Sequence, residues 1–479
     1  MVEESLKSQI KKGLYWKFLE QFSGYGMQFV VGIFMARMLS PEDYGITALP
    51  TVFIVIAGIF ADAGFGPAMI RKEKLSDEDL STAFYYSTGV GILLYISLFI
   101  ASPYIADFYN APVLTWLIRV SSLGFLYGPI GTPQNIILRR RLDFKTPTKI
   151  AIVTRILAAV LGIAMAYYGY GVWALAIPGM IAGIISLLLN IYVVRWFPKL
   201  VWSKESFRYL WGFGNKLMAS SLLDTIYNNI TPAFIGKYYS PADLGVYNRA
   251  LGYAQMPSQN IYGVIANVSY PVLSKIQNDD ERLLQNYRRM IKLSAFVVFP
   301  LMMGLAALAR PLVITMITEK WEACIIYLQI MCFTFMWWPI HALNLNVLQV
   351  KGRSDYFLKL EVVKKIWGLS VMAITLPMGV IYFCSAGIIS NFFSLYVNTY
   401  YTKKLLGYGI KSQINDMLPS IVLTTVMTVS VWAITLVLPN MILQIITGLL
   451  LGMGIYISGA YLFKFKELED VFYLLSKRN

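Results

Sequence analysis

Histidine occurs once in this chain of 479 residues, at His341, and cysteine three times, at Cys324, Cys332 and Cys384. No CxxC or other ligand spacing links the cysteines, and all three lie in or beside apolar stretches, so they read as packing residues. His341, close to Asn344 and Asn346 in another apolar run, likewise reads as hydrogen-bonded packing rather than a metal ligand or proton relay. The chain also lacks a GxxxxGK phosphate loop, an HExxH helix and a nucleophile elbow. It is therefore expected to be no enzyme, to hold no metal or cofactor, and to draw any driving force from an ion gradient or its substrate's own gradient. Charge is scarce too. Only 14% of residues are charged, against roughly 25% in an ordinary soluble domain, while 57% are hydrophobic and the mean hydropathy is +0.58. No soluble fold could keep so much apolar surface from water.

What the chain has instead is a series of apolar runs, each near the 20 residues or so that cross a bilayer core about 30 Å thick. They fall near 13–39, 46–70, 83–105, 113–137, 149–168, 172–194, 209–237, 246–270, 290–315, 322–348, 360–379, 383–402, 415–437 and 441–463. The expectation is an all-α polytopic membrane protein with about 14 transmembrane helices. The first dozen residues are polar, without the apolar core of a removable signal peptide. The net charge of +15 is distributed on one side. Even-numbered connections carry RKEK (71–74), RRRLDFKTPTK (139–149), the segment from Arg195 to Arg208, SKIQNDDERLLQNYRR (274–289), KGRSDYFLK (351–359) and KKLLGYGIK (403–411), whereas the odd ones are short and nearly free of cations. Cytoplasmic loops collect Lys and Arg, so both termini are expected in the cytoplasm. The basic balance then expresses topology and contact with anionic headgroups, and nucleic acid is not an expected partner.

Two stretches repeat. Residues 36–45 read ARMLSPEDYG and residues 236–245 read GKYYSPADLG, each at an odd-numbered hairpin, with Ser placed to cap the next helix, Pro in its first turn, and Asp43 or Asp243 as a further acceptor. The offset spans six helices, an even number, so both copies have one orientation: a parallel internal repeat. PIGTPQNIILRRRLDF (129–144) and PIHALNLNVLQVKGRSDY (339–356) give a weaker echo. The expected domains are an N-lobe over 1–200 (spans 1–6), a C-lobe over 201–411 (spans 7–12), and an addition over 412–479 (spans 13–14 and a tail).

Polar groups inside a membrane are costly and usually face a partner or a wet cavity. Span 7 carries Lys216, Ser220, Asp224 and Asn228 at i+4 spacing, hence on one helix face. Span 1 carries Trp16, Glu20, Gly24 and Gln28 at the same register. These seams are read as lining a central hydrophilic cavity, with packing against neighbouring helices as the alternative. Arg119 and Arg249 lie within spans, and together with Lys216 and Arg37 they are the candidate cations for an anionic substrate; an interfacial anchor is the alternative for each arginine. Ser220, Asn228 and Gln28 complete the candidate binding set. Glu20, Asp62 in FADAGFG (60–66) and Asp224 are the candidates for ion coupling by H+ or Na+, with pairing to an arginine as the alternative for Asp62.

FMARMLSPEDYG (34–45), IAGIFADAGFGPAMIRKE (56–73), NIILRRRLDFK (135–145) and VLQVKGRSDYF (347–357) resemble the Wzx-type oligosaccharide flippases. These form the polysaccharide transport family of the multidrug/oligosaccharidyl-lipid/polysaccharide exporter superfamily, and the similarity is to its lipopolysaccharide and exopolysaccharide members. The resemblance implies a two-lobed bundle of alternating access in the bacterial cytoplasmic (inner) membrane. Such a bundle moves undecaprenyl-diphosphate-linked oligosaccharide between leaflets for surface polysaccharide assembly; the chain itself is expected to act as a monomer, near glycosyltransferases or a polymerase. Competing readings are an ion-coupled multidrug or organic-cation exporter of the same superfamily and a membrane glycosyltransferase or polymerase.

Overall fold

The computed structural model describes residues 2–476, and the regular structure among them is helical throughout. Packing divides the chain into two compact units, Met1–Gly245 and Val246–Asn479. The first contains α1 (Val2–Met38), α2 (Pro41–Asp62), α3 (Phe65–Arg71), α4 (Asp77–Phe108), α5 (Val113–Ser121), α6 (Gly124–Arg140), α7 (Lys145–Tyr167), α8 (Trp173–Val194), α9 (Lys204–Tyr238) and the start of α10 (Pro241–Ser274). The second holds the rest of α10, then α11 (Asp280–Ala307), α12 (Ala309–Ile317), α13 (Cys324–Phe335), α14 (Trp338–Val350), α15 (Ser354–Thr375), α16 (Val380–Leu406), α17 (Ile410–Val437), α18 (Met441–Leu462) and α19 (Lys466–Ser476).

Among the described residues, 10 spans are long and apolar enough to cross a membrane, with α2–α3, α5–α6 and α13–α14 each counted as one broken span. The expected fourteen add α1, α9, α10 and α15, which lie outside these ten. The deficit in α1 and α9 has a plain cause: they carry the two polar seams.

Both copies of the repeated motif are capping boxes. The Ser40 amide donates to Asp43 Oδ2 at 2.9 Å while the Asp43 amide donates to Ser40 Oγ at 3.1 Å. Ser240 and Asp243 repeat the pattern at 3.1 and 3.1 Å. Each pair satisfies helix N–H groups that have no intrahelical partner. The motif glycines do more. A methyl group on Gly45 would lie 2.5 Å from the Pro241 carbonyl carbon, and one on Gly245 would lie 2.8 Å from that of Pro41. The two helix starts therefore cross at backbone contact, each through the other's glycine.

The basic echo is also structural. Arg140, at the end of α6, donates to the carbonyls of Met69 (3.0 Å), Lys72 and Glu73 (2.9 Å), closing the end of α3. In the second unit Lys351, just past α14, grips the Gln277 carbonyl at 2.7 Å and pairs with Asp280. Each unit thus uses a cation after a broken span to hold the loop that precedes its next long helix.

FADAGFG breaks a helix. Ala63 (φ 46°) and Gly64 (φ 70°) take left-handed conformations between α2 and α3, and a methyl on Gly64 would meet the Gly214 carbonyl oxygen of α9 at 2.7 Å. A side chain at 64 would be strained by backbone conformation as well as by contact. Below the break, Phe65, Met69, Leu80, Ile136 and Leu210 are buried together, with Tyr86, Phe207 and Trp211 against them. In this way α9 packs on α2, α3 and α4 inside the first unit, so packing parts the chain at 245, whereas the repeat places its lobe boundary at 200. The helices expected as an addition, α17 and α18, pack on α11 and α12 in the second unit.

That unit is keyed by a buried polar network. Tyr287 donates to Asn344 Oδ1 at 2.8 Å, and Gln413 Nε2 donates to Asn344 Oδ1 (2.9 Å) and Tyr287 Oη (3.0 Å). All three residues are fully buried, so the network fixes the register of α11, α14 and α17. His341 takes the packing role expected of it: Nε2 donates to Asn391 Oδ1 at 2.6 Å, and Nδ1 accepts from Asn398 Nδ2 at 3.2 Å. Cys324, Cys332 and Cys384 are free and buried.

Candidate functional site

A groove of about 650 Å3 opens between α1, α7 and α8 of the first unit. Its α1 wall includes Lys17, Glu20, Gln21, Gly24, Tyr25, Met27, Gln28, Val31 and Met35, and Arg155, Gly162 and Pro178 face that wall from α7 and α8. The helices are brought together by small residues and backbone bonds. The Thr148 hydroxyl donates to the Trp16 carbonyl at 3.3 Å, and a methyl on Gly13 would meet the Phe144 ring at 2.8 Å. Gly162 faces the Ala174 carbonyl, where a methyl would stand at 3.3 Å. Close approach at both ends leaves the middle open around Gly24.

Charge in the groove is unbalanced. Glu20 pairs with Lys17 at 3.0 Å, one turn away on the same helix. Arg155 Nη1 donates at 3.0 Å to the Glu20 backbone carbonyl, not to its carboxylate, and among the described residues Arg155 has no ion-pair partner. Its guanidinium lies over Gly24, where a methyl would come within 2.7 Å of Nη1. Two cations thus face one carboxylate, and Arg155 is exposed to the groove.

Depth follows from helix rise. At 1.5 Å per residue, Gln28 stands about 15 Å and Glu20 about 27 Å along the axis from Met38, where α1 ends. Arg155 stands about 18 Å from Tyr167, where α7 ends. Against a core of about 30 Å, the α1 lining, from Met35 about 5 Å to Lys17 about 32 Å from Met38, crosses nearly the whole thickness, and Arg155 stands near its middle. The groove is polar around Glu20, Gln21 and Arg155 and apolar beyond, at Val31, Met35 and Leu175. Such a surface can receive an anionic or sugar-like group at one end and an apolar group at the other.

The sequence-derived candidates separate. Glu20 and Gln28 line the groove. Lys216, Ser220, Asp224 and Asn228 all lie exposed along one face of α9, as their spacing predicts, but none of them lines this groove. Arg119 is elsewhere: Nε donates to Ser102 Oγ at 3.0 Å, and the guanidinium stacks on Phe99 (4.0 Å) and Trp116 (5.1 Å), the arrangement of an anchored side chain. Arg249, in the second unit, lies over the rings of Trp321 (5.2 Å) and Tyr253 (5.5 Å). Arg37 is exposed in the last turn of α1. Asp62 is the last residue of α2, about 32 Å along the axis from Pro41, which puts it near an interface rather than at mid-membrane. Lys237, the lone cation beside the second motif, donates to the Phe108 carbonyl and sits over its ring.

Sequence reasoning missed Arg155, counting only Arg119 and Arg249 as arginines within the spans. The signal was present in IAIVTRILAAVLG (150–162), a cation inside an apolar run, but nearness to the basic cluster at 139–149 made it look like part of a loop.

Comparison with known proteins agrees with these features. The teichuronic acid biosynthesis protein TuaB of Bacillus subtilis is 26% identical over 381 residues, 77% of this chain and 77% of TuaB. The lipopolysaccharide biosynthesis protein WzxC of Escherichia coli is 25% identical over 366 residues, 75% of this chain and 74% of WzxC. Among solved structures, the lipid II flippase MurJ in an inward closed conformation superposes with a TM-score of 0.70 at 17% identity, over 93% of this chain and 98% of that one, which establishes a shared fold. Residues 34–326, more than half of the chain, match the family described as polysaccharide biosynthesis protein, and the chain belongs to that family.

Proposed function

We propose that this protein is a flippase, moving lipid-linked oligosaccharide units across the bacterial cytoplasmic membrane for surface polysaccharide assembly. The observation that carries the reading is the groove of α1, α7 and α8, where Arg155 stands at mid-membrane depth and donates to a neutral backbone carbonyl. A diphosphate crossing hydrocarbon loses its hydration, and only a basic, wet path can replace it. Guanidinium suits that task because it stays charged and grips phosphate oxygens in pairs. The polar face of α9 (Lys216, Ser220, Asp224, Asn228) offers hydroxyl, amide and carboxylate partners for sugar hydroxyls. The names of its relatives support the same reading, since they include teichuronic acid and lipopolysaccharide biosynthesis proteins and, for the fold, a lipid II flippase.

In this reading the carrier is undecaprenyl diphosphate, both termini are cytoplasmic, and the parallel repeats 1–200 and 201–411 alternate access as a monomer. Glu20, Asp62 and Asp224 are the groups for H+ or Na+ coupling. The rival, a multidrug or organic-cation exporter, requires an acid-dominated site. The groove has the opposite balance, because Lys17 already neutralises its one carboxylate. The test is export of surface glycan in cells lacking their own flippase but carrying the matching glycosyltransferases. Wild type should restore surface glycan, and Arg155→Glu should leave lipid-linked precursor on the inner leaflet. Organic-cation resistance without glycan export would reverse the assignment.

A further inference from the structure

A second charged hollow, of about 520 Å3, lies in the second unit between α11 and α19. One wall is a single helix face: Gln285, Arg288, Arg289 and Lys292 stand at i, i+3, i+4 and i+7 on α11. The other is the first turn of α19, with Lys466, Glu467, Glu469 and Asp470. Part of this charge is internally matched. Arg289 holds Asp470 bidentately, with Nε to Oδ2 at 2.8 Å. Asp416 takes Arg288 at 2.7 Å and Lys292 at 3.4 Å, so one carboxylate serves two cations. Among the described residues, Lys466, Glu467 and Glu469 have no ion-pair partner. The hollow is thus left with surplus cation on the α11 side and at Lys466, and surplus carboxylate one residue further along α19.

Its surroundings are those of a membrane interface. Tyr461, Leu462 and Phe463, which end α18 and enter the turn to α19, are 75%, 74% and 73% exposed, and Lys464 and Lys466 follow directly. Large bare apolar side chains running into cations mark the boundary between acyl chains and headgroups. An apolar hollow of about 470 Å3, lined by Met453, Ile457, Tyr461 and Leu468, adjoins the same turn. Leu468 faces that hollow while its neighbours Glu467 and Glu469 face the charged one.

We propose that this junction binds a resident phosphatidylethanolamine, with its phosphate between Lys466 and the Arg288–Lys292 face, its ammonium at Glu467 and Glu469, and an acyl chain along Met453–Tyr461. The pairing of one anionic and one cationic group selects a zwitterion. A purely anionic headgroup would pair with the cations but leave the Glu467 and Glu469 carboxylates without a partner, and a phosphocholine lacks the N–H donors for them.

The test is lipid retention by the purified full-length protein, read by native mass spectrometry and by thermal melting after exchange into equimolar lipids. Wild type should retain phosphatidylethanolamine about fivefold over phosphatidylglycerol, the scale of two partly exposed ion pairs. Glu467→Lys with Glu469→Lys should invert the order. Should that variant not fold, Lys466→Glu should cut phosphatidylethanolamine retention several-fold. Equal retention of the two lipids by wild type, an unchanged order in the folded double variant, or undiminished retention by Lys466→Glu each overturns the proposal. Equal stabilisation by tail-free glycerophosphoethanolamine overturns the lipid assignment.

Discussion

The crossing of the two repeated motifs allows a sharp prediction, because it is made of backbone. A methyl on Gly45 would stand 2.5 Å from the Pro241 carbonyl carbon, and one on Gly245 would stand 2.8 Å from that of Pro41. The carbonyl oxygens of Pro241 and Pro41 stand closer still, and ordinary carbon–carbon contact is about 3.5 Å or more, so each alanine must separate the helix starts by more than about 1 Å. No side-chain rotation relieves it, since the obstacle is main chain on both sides. Overpacking of this kind costs about 1–3 kcal/mol. Gly45→Ala and Gly245→Ala should each lower the melting temperature of the purified protein and reduce surface glycan. They also separate the same crossing, so the second substitution finds the space already opened, and the double variant should fall clearly short of the sum of the singles. Additive losses, or wild-type melting in both singles, would refute the contact between the motifs.

Three other outcomes follow from the groove and its supports. Gly24→Ala displaces a flexible guanidinium, not backbone, so it should change stability by less than about 1 kcal/mol while reducing glycan export, measured as surface polysaccharide per inserted protein. Arg140→Ala removes the donor to three carbonyls at the end of α3 and should destabilise by about 1–3 kcal/mol in detergent melting, with Arg140→Lys recovering part of the loss. Cysteines at Ser220 and Asn228 should react with a hydrophilic thiol reagent in membranes, whereas the native Cys324, Cys332 and Cys384 should not, because all three are buried.

Most of the fold could be read from one-dimensional signals because a membrane simplifies the problem. Each stretch marked by apolar length falls on one helix or on two separated by a short break, and the capping boxes at Ser40 and Ser240 lie where Ser-Pro-x-Asp placed them. The features that escaped are those in which distant segments meet. FADAGFG drew attention to Asp62 as an acid within the spans, but its physical content is the left-handed pair Ala63–Gly64 that breaks the span against Gly214. RRRLDF looked like loop charge, whereas Arg140 is spent on the carbonyls of residues more than sixty positions earlier. Arg119 was chosen for its depth, and depth does not distinguish an arginine stacked on Phe99 from one facing water. The second half of the first seam was found by register alone, since Glu20, Gly24 and Gln28 mean little singly; their partner on α7 has no register signal in span 1.

The two polar rows explain why two of the expected spans fall short on hydropathy. A spanning helix can carry a polar row only if that row meets water or a partner, because an unsatisfied group in hydrocarbon costs several kcal/mol. α1 carries Lys17, Glu20, Gln21 and Gln28 toward a groove, and on α9 Lys216, Ser220, Asp224 and Asn228 are exposed. Were these rows merely glue between helices, the side chains would be buried, as Tyr287, Asn344 and Gln413 are in the second unit. Polarity that is both periodic and uncovered fits a wetted surface better than a packed one. Replacing Ser220 and Asn228 together by Leu separates the cases: a packed seam would lose stability, whereas a wetted one should insert and melt at or above the wild-type temperature and lose transport.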